Sequence, residues 1–92
     1  MYLEIVSPEA TLFAGEVTSV TVPGINGEFQ MLKDHAPIVS LLQEGNVKME
    51  GNITIEEAHE SKFSKDASGK TILPITSGTI ELKDNKVIVL AD

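Results

Sequence analysis

Cysteine is absent from this chain of 92 residues. That excludes a disulfide framework, a thiolate zinc site and a cysteine nucleophile, and it agrees with a reducing compartment. Tryptophan is absent too, and Phe13, Phe29, Phe63 and Tyr2 are the only aromatic side chains, so the core must be aliphatic. Basic residues are scarce: 7 Lys+Arg stand against 14 Asp+Glu, a net charge of −7. A surface of that sign repels phosphate backbones, which argues against a nucleic-acid partner. It also gains nothing from an anionic lipid face. No apolar run approaches the roughly 20 residues of a transmembrane helix; the longest is Val87–Ala91. The opening Met1-Tyr2-Leu3-Glu4 has neither the basic start nor the apolar stretch of a signal peptide. At about 150 residues per domain, residues 1–92 are expected to form one domain.

What is present reads as β structure, with short apolar runs punctuated by turn residues. Leu3–Val6 runs into Ser7-Pro8, and Thr11–Phe13 runs towards Gly15. Val17–Val22 alternates, with Val20 and Val22 on one face and Ser19 and Thr21 on the other. Pro23-Gly24 is a turn signal, after which Gly27-Glu28 leads into Phe29–Leu32. Gly45-Asn46 breaks the chain again before a strand at Val47–Met49 that ends at Gly51-Asn52. Ile80–Lys83, Asp84-Asn85 and Lys86–Leu90 form the clearest unit, a hairpin whose turn residues tolerate positive φ. Its second strand is almost wholly apolar and is expected to be buried on both faces. Ile38, Leu41 and Leu42 fit helical spacing, but Pro37 suits only a helix's first turn, so extended structure is preferred there. From Ile53 onward the reading is two strands around a long loop with Ser64–Gly69 at the tip; a short helix over Glu56–Ser61 competes. The fold class is all-β.

No pattern of residues calls for chemistry. His35 follows Asp34, a pairing that suggests acid–base work, but adjacent strand residues point to opposite faces. No Gly-x-Ser-x-Gly elbow accompanies them. Glu56, Glu57, His59 and Glu60 resemble metal ligands in type only. His-Glu-x-x-His is missing and the chain has 2 histidines, so these residues read as a solvated acidic face and no metal or cofactor is expected. Gly15, Gly24 and Gly27 form neither a Gly-x-Gly-x-x-Gly nor a P-loop, and serve as turn residues. Asn26 and Glu28, on an exposed loop between strands, are candidates for partner contact. A binding or structural role therefore stands ahead of a small hydrolase using Glu28, Asp34 or His35. A free-standing module for a small molecule or peptide is the other binding alternative.

The order of the motifs goes further. Leu3-Glu4-Ile5-Val6-Ser7-Pro8-Glu9 followed by Leu12-Phe13-Ala14-Gly15-Glu16-Val17 resembles the opening of the epsilon subunit of the rotary F-type ATP synthase. So do Val20-Thr21-Val22-Pro23-Gly24 with Gly27-Glu28-Phe29, then His35-Ala36-Pro37-Ile38-Val39 and Gly45, and the ending Asp84–Asp92. The resemblance implies a flattened antiparallel β-sandwich and a non-catalytic rotor subunit of the central stalk. Such a subunit couples the gamma subunit to the membrane c-ring, in a proton- or sodium-driven enzyme. It implies c-ring contact through Ile25, Asn26, Gly27 and Glu28. It implies gamma contact through His35, Ala36, Pro37, Leu41, Leu42 and Ser77. Membrane contact would come only through the ring, at the cytoplasmic face of a bacterial membrane. Lys33 stands where the family has a proline two residues before its histidine, and Glu50–Lys70 is longer than usual. The family commonly continues past this point into two C-terminal helices. The expectation is a truncated form that lacks that route of inhibition and its nucleotide site.

Overall fold

In a strand successive side chains take opposite faces, so apolar residues at every second position bury one face. The computed structural model describes residues 1–92 and opens with β1 (Tyr2–Val6), β2 (Thr11–Glu16), β3 (Ser19–Gly24), β4 (Gly27–Leu32), β5 (Ile38–Leu42) and β6 (Gly45–Glu50); β1 and β6 show that alternation, whereas β3 is buried along its whole length. A 3₁₀ helix (Glu57–Lys62) and the short β7 (Ser64–Lys65) follow, then β8 (Thr71–Ile75), β9 (Gly78–Lys83) and β10 (Lys86–Ala91). Hydrogen bonding runs β2-β1-β10-β9-β5-β3-β6-β8-β7, with β4 on the other side of β3. The step from β5 to β3 is a single pair, Gly24 with Leu42. There the sheet folds over into two five-stranded halves, β2-β1-β10-β9-β5 and β4-β3-β6-β8-β7. Leu3, Ile5, Ile80, Leu82, Val87 and Val89 from the first half meet Val20, Val22, Met31, Val47, Met49 and Leu73 from the second in one core. The all-β sandwich expected from the sequence is the fold. Its ladders are antiparallel except one, the parallel pair β1–β10.

The fold-over is a paired bend. β5 and β6 are separated only by Gln43–Glu44, and β8 and β9 only by Thr76–Ser77. Leu42 with Gly78 and Gly45 with Ile75 flank the corner. Glycine is required on both sides of it. A Cβ on Gly45 would lie 2.7 Å from the Pro23 Cβ, and one on Gly78 would run into the Leu90 carbonyl oxygen.

Several readings need correction. Pro23 and Gly24 lie inside β3, and the turn falls one step later at Ile25–Asn26, where Gly24 pairs with Gly27. Ser19 and Thr21 are buried as well as Val20 and Val22. Thr21 lies between Gln30 and Lys48 on the neighbouring strands, and the Ser19 hydroxyl donates to Glu50 at 3.0 Å. The stretch before Phe63 is the 3₁₀ helix and not a strand. It buries no side chain, so Glu57 and Glu60 stay in water, while Ile53, Ile55 and Phe63 anchor the segment to the core. The second strand of that pair is β8, and the tip is shorter, at Asp66–Gly69. β10 is buried on one face only: Val87, Val89 and Ala91 are inside, while Leu90 is 51% exposed. The extended reading of Ile38–Leu42 holds, and so does the Asp84-Asn85 hairpin, with φ of 51° and 61°.

Candidate functional site

The two outer faces of the sandwich differ in kind. On the β4-β3-β6-β8 side, charges meet charges. The Lys48 ammonium lies 3.3 Å from the Glu28 carboxylate, Lys70 lies 3.8 Å from Glu50, and Ser19 donates to Glu50. The β5-β9-β10-β1 side leaves apolar side chains in water. Val39 is 76% exposed, Leu41 58% and Leu90 51%, and Ile25 at the hairpin tip is 51% exposed beside them. Scattered exposed apolar residues are ordinary, but a contiguous apolar group on one sheet face marks a contact surface.

Two shallow clefts cut this face, one at each end of β5. The first, of about 420 Å³, is lined by Ile25, Leu41, Ser77, Thr79, Leu90 and Asp92 among others. Its rim is held by the Ser77 hydroxyl, which donates to Asp92 Oδ2 at 2.7 Å, and by the Asp92 amide, which donates to the Ser77 carbonyl at 3.1 Å. The Ile25 amide reaches the Leu41 carbonyl at 3.3 Å and ties the hairpin tip to β5. The second cleft, of about 230 Å³, is lined by Pro37, Ile38, Val39, Glu81, Leu82 and Lys83.

The residues singled out by resemblance are therefore distributed as follows. Ile25, Leu41 and Ser77 share the first cleft, and Pro37 lines the second. Four strand steps separate Pro37 from Leu41, about 13 Å. Leu42 also borders the first cleft, but only from below. It faces the core at 4% exposure because it has the opposite parity to Leu41 on β5. Asn26, Gly27 and Glu28 are exposed at the tip, with Gly27 at φ 125°, and Glu28 turns to the charge-paired face. His35 and Ala36 are exposed in the connection before β5. His35 Nδ1 lies 2.7 Å from the Ala36 carbonyl oxygen and donates to it. Asp34 does not orient His35. At φ 66° its amide donates to Asn85 Oδ1 at 2.7 Å, and its carboxylate accepts from Asn85 Nδ2 at 2.9 Å. Glu28, Asp34 and His35 are thus each engaged elsewhere and are not brought together.

Val39, Leu90 and Glu81 were not singled out from the sequence as contacts, whereas Thr79 lies in the stretch Thr76-Ser77-Gly78-Thr79 that the resemblance points to for gamma. A signal for Val39 and Leu90 existed in the adjacent apolar pairs Ile38-Val39, Leu41-Leu42 and Val89-Leu90, which give one strand an apolar residue on both faces. Two ionisations are displaced in the fold. The Tyr2 phenol is pushed up by desolvation, with its hydrogen bond to Glu4 and the charges of Glu4 and Glu16 adding. The Asp66 carboxyl is held low, first by the Ser68 hydroxyl, then by the Lys70 and Ser68 amides and the Lys70 charge, against some desolvation.

A closed sandwich that leaves Val39, Leu41 and Leu90 in water on one sheet face has the build of a docking subunit. The family model described as the β-sandwich domain of the ATP synthase delta/epsilon chain matches residues 1–92, and the chain belongs to that family. Its members of the epsilon type are stalk subunits of the ATP synthase complex and not its catalytic subunits. The ATP synthase epsilon chain of Chlorobaculum tepidum is 36% identical over 90 residues, 98% of this chain and 86% of its own length. That of Campylobacter concisus is 35% identical over 92 residues, which is 60% of its length. Relatives matching the same segment thus differ in how much further sequence they carry. Among solved structures, a chain of the Tetrahymena thermophila mitochondrial ATP synthase central stalk and c-ring superposes with a TM-score of 0.72 at 15% identity, over 99% of this chain and 62% of that one. A chain of the Euglena gracilis mitochondrial ATP synthase assembly of OSCP, F1 and c-ring gives 0.72 at 20%, over 97% and 48%. At those identities the likeness is one of fold. No helix is long and apolar enough to cross a membrane.

Proposed function

We propose that residues 1–92 act as one rigid unit of the central stalk, joining the gamma subunit to the c-ring and turning with both under proton- or sodium-driven rotation. The observation that carries this reading is the group of exposed apolar side chains Val39, Leu41 and Leu90 on one sheet face. Burying such side chains against gamma gains about 25 cal/mol per Å² removed from water, before the losses of association. Leu41 and Ser77 at one end of the face, and His35, Ala36 and Pro37 at the other, bracket that contact. The hairpin tip Ile25–Glu28 is the ring-facing element, with Glu28 supplying the polar contact. The subunit sits at the cytoplasmic face of a bacterial membrane and touches it only through the ring.

Co-elution of the tagged protein with gamma, and separately with membranes holding the c-ring, tests this. Leu41→Asp is expected to weaken capture of gamma alone, and Glu28→Lys capture of the ring alone, with both variants folded by circular dichroism. A wild-type monomer that binds neither overturns the assignment.

A further inference from the structure

Strand register sorts the outer face of the β2-β1-β10-β9-β5 half into three rows. The first contains Leu41, Thr79, Leu90 and Val6. The second contains Val39, Glu81, Ile88 and Glu4. The third contains Lys83, Lys86 and Tyr2. Along the strands the face therefore changes from apolar to acidic to basic. Side chains two apart on a strand are about 6.8 Å apart, so the third row lies about 13.6 Å from the first.

These charges are not paired within the protein. The ion pairs are Met1–Glu16, Lys48–Glu28 and Lys70–Glu50, and none engages Glu81, Lys83 or Lys86. Glu4 accepts a hydrogen bond from the Tyr2 hydroxyl at 3.2 Å. Lys83 and Lys86 stand directly opposite one another across the hairpin. Like charges so placed destabilise a sheet. The Lys86 ammonium, 5.7 Å from the centre of the Tyr2 ring, offsets part of that. Lys48 and Lys70 on the other outer face each meet a carboxylate. Glu81, Lys83 and Lys86 thus stand unpaired on the face that also exposes Val39, Leu41 and Leu90, while Leu32 is exposed on the other.

We propose that this face reads its partner by the order of its rows, and that the complement is a gamma-subunit helix lying along the strands. An apolar side chain seats between Leu41 and Leu90. A lysine or arginine about four residues on meets Glu81 and Glu4, and an aspartate or glutamate about eight residues on meets Lys83 and Lys86. At about 1.5 Å per residue those offsets are about 6 Å and 12 Å, near the row spacing, and at about 3.6 residues per turn all three side chains stay on one side of the helix. The order fixes which way the helix runs, so it sets orientation as well as contact. The proposal rests on the reading that gamma docks on this face.

Binding of purified gamma to the full chain, measured by calorimetry at low and at high salt, tests it. Lys83→Glu turns the like-charge pair of the hairpin into an opposite one, so the free protein should melt no lower than wild type. Its affinity for gamma should nevertheless fall roughly tenfold at low salt, and the difference should shrink at high salt. Glu81→Lys should lower affinity in the same salt-dependent way. Charge variants that bind as wild type, while Leu41→Asp abolishes binding, overturn the row reading and leave gamma docking in place. Tighter binding by Lys83→Glu also overturns it. A wild-type protein that ignores gamma overturns both.

Discussion

Asp34 and Asn85 show how single residues fix the ends of elements. Both take positive φ, and their two hydrogen bonds clasp the turn before β5 to the turn of the β9–β10 hairpin. Asn85→Asp keeps a residue that tolerates this backbone but replaces a donor amide with a second carboxylate facing Asp34. A loss of about 1 kcal/mol at neutral pH is expected, in the range of one hydrogen bond. Urea unfolding should show the midpoint fall. Asp66 works more locally. Its carboxylate accepts from the Ser68 hydroxyl at 2.7 Å and from the Ser68 and Lys70 amides at 2.9 and 3.0 Å. The folded state therefore holds its carboxyl below the ordinary 3.8. A group depressed in this way contributes its stability above its unfolded value and loses it as pH falls through the folded one. Amide exchange at Ser68 and Lys70, corrected for intrinsic pH dependence, should lose protection below about pH 3.8 and not above it. Equal protection on both sides of that pH would remove Asp66 from the role.

At the scale of elements, strand parity decides which residues build the core and which meet a partner. Leu41 and Leu42 are neighbours of one type, yet Leu42 is buried and Leu41 is in water. Leu42→Ala should cost about 2–5 kcal/mol, as for a buried leucine. Leu41→Ala should change stability by less than about 0.5 kcal/mol. Thermal melts of the two variants check this; equal losses would mean β5 has slipped by one residue. The same parity explains what could be read in advance. Asp84-Asn85 has one use in a two-residue turn, and Pro37 bars the interior of a helix, so the last hairpin and β5 were legible. The apolar run Val87–Ala91 was not, because apolarity tells that a face is kept from water and not whether the cover is this chain or another. Pro23-Gly24 misled because β3 ends at the sheet corner, where the Pro23 carbonyl accepts from the Gln43 amide at 2.9 Å and the proline ring packs near Gly45. The segment before Phe63 was ambiguous because its apolar residues, Ile53 and Ile55, are too few to set a period before Glu56 and Glu57 interrupt them.

For the whole molecule, the decisive pairing is the one no local pattern announces. β1 runs parallel to β10, from Tyr2 with Lys86 to Val6 with Leu90, so the first and last strands lie side by side in mid-sheet. β2, next to β1, is held to the rest of its half only through β1. Such a fold closes late, because its most distant segments must meet before the core is complete, and folding on the slow, millisecond-to-second side is expected. The closed core then resists bending, as a stalk under torque requires. Removing residues 2–6 strips Leu3 and Ile5 from the core and leaves the β10 ladder open, whereas the tip Asp66–Gly69 carries no buried residue. Deletion of 2–6 should therefore abolish the cooperative melt. Six added residues after Ser68 should preserve it, since lengthening a surface loop costs little closure entropy. Circular dichroism melts of the two variants separate the outcomes. A deletion variant that still melts cooperatively would show that the second half, with β9 and β10, folds without the parallel pair, and the stiffness attributed to the sandwich would need another source.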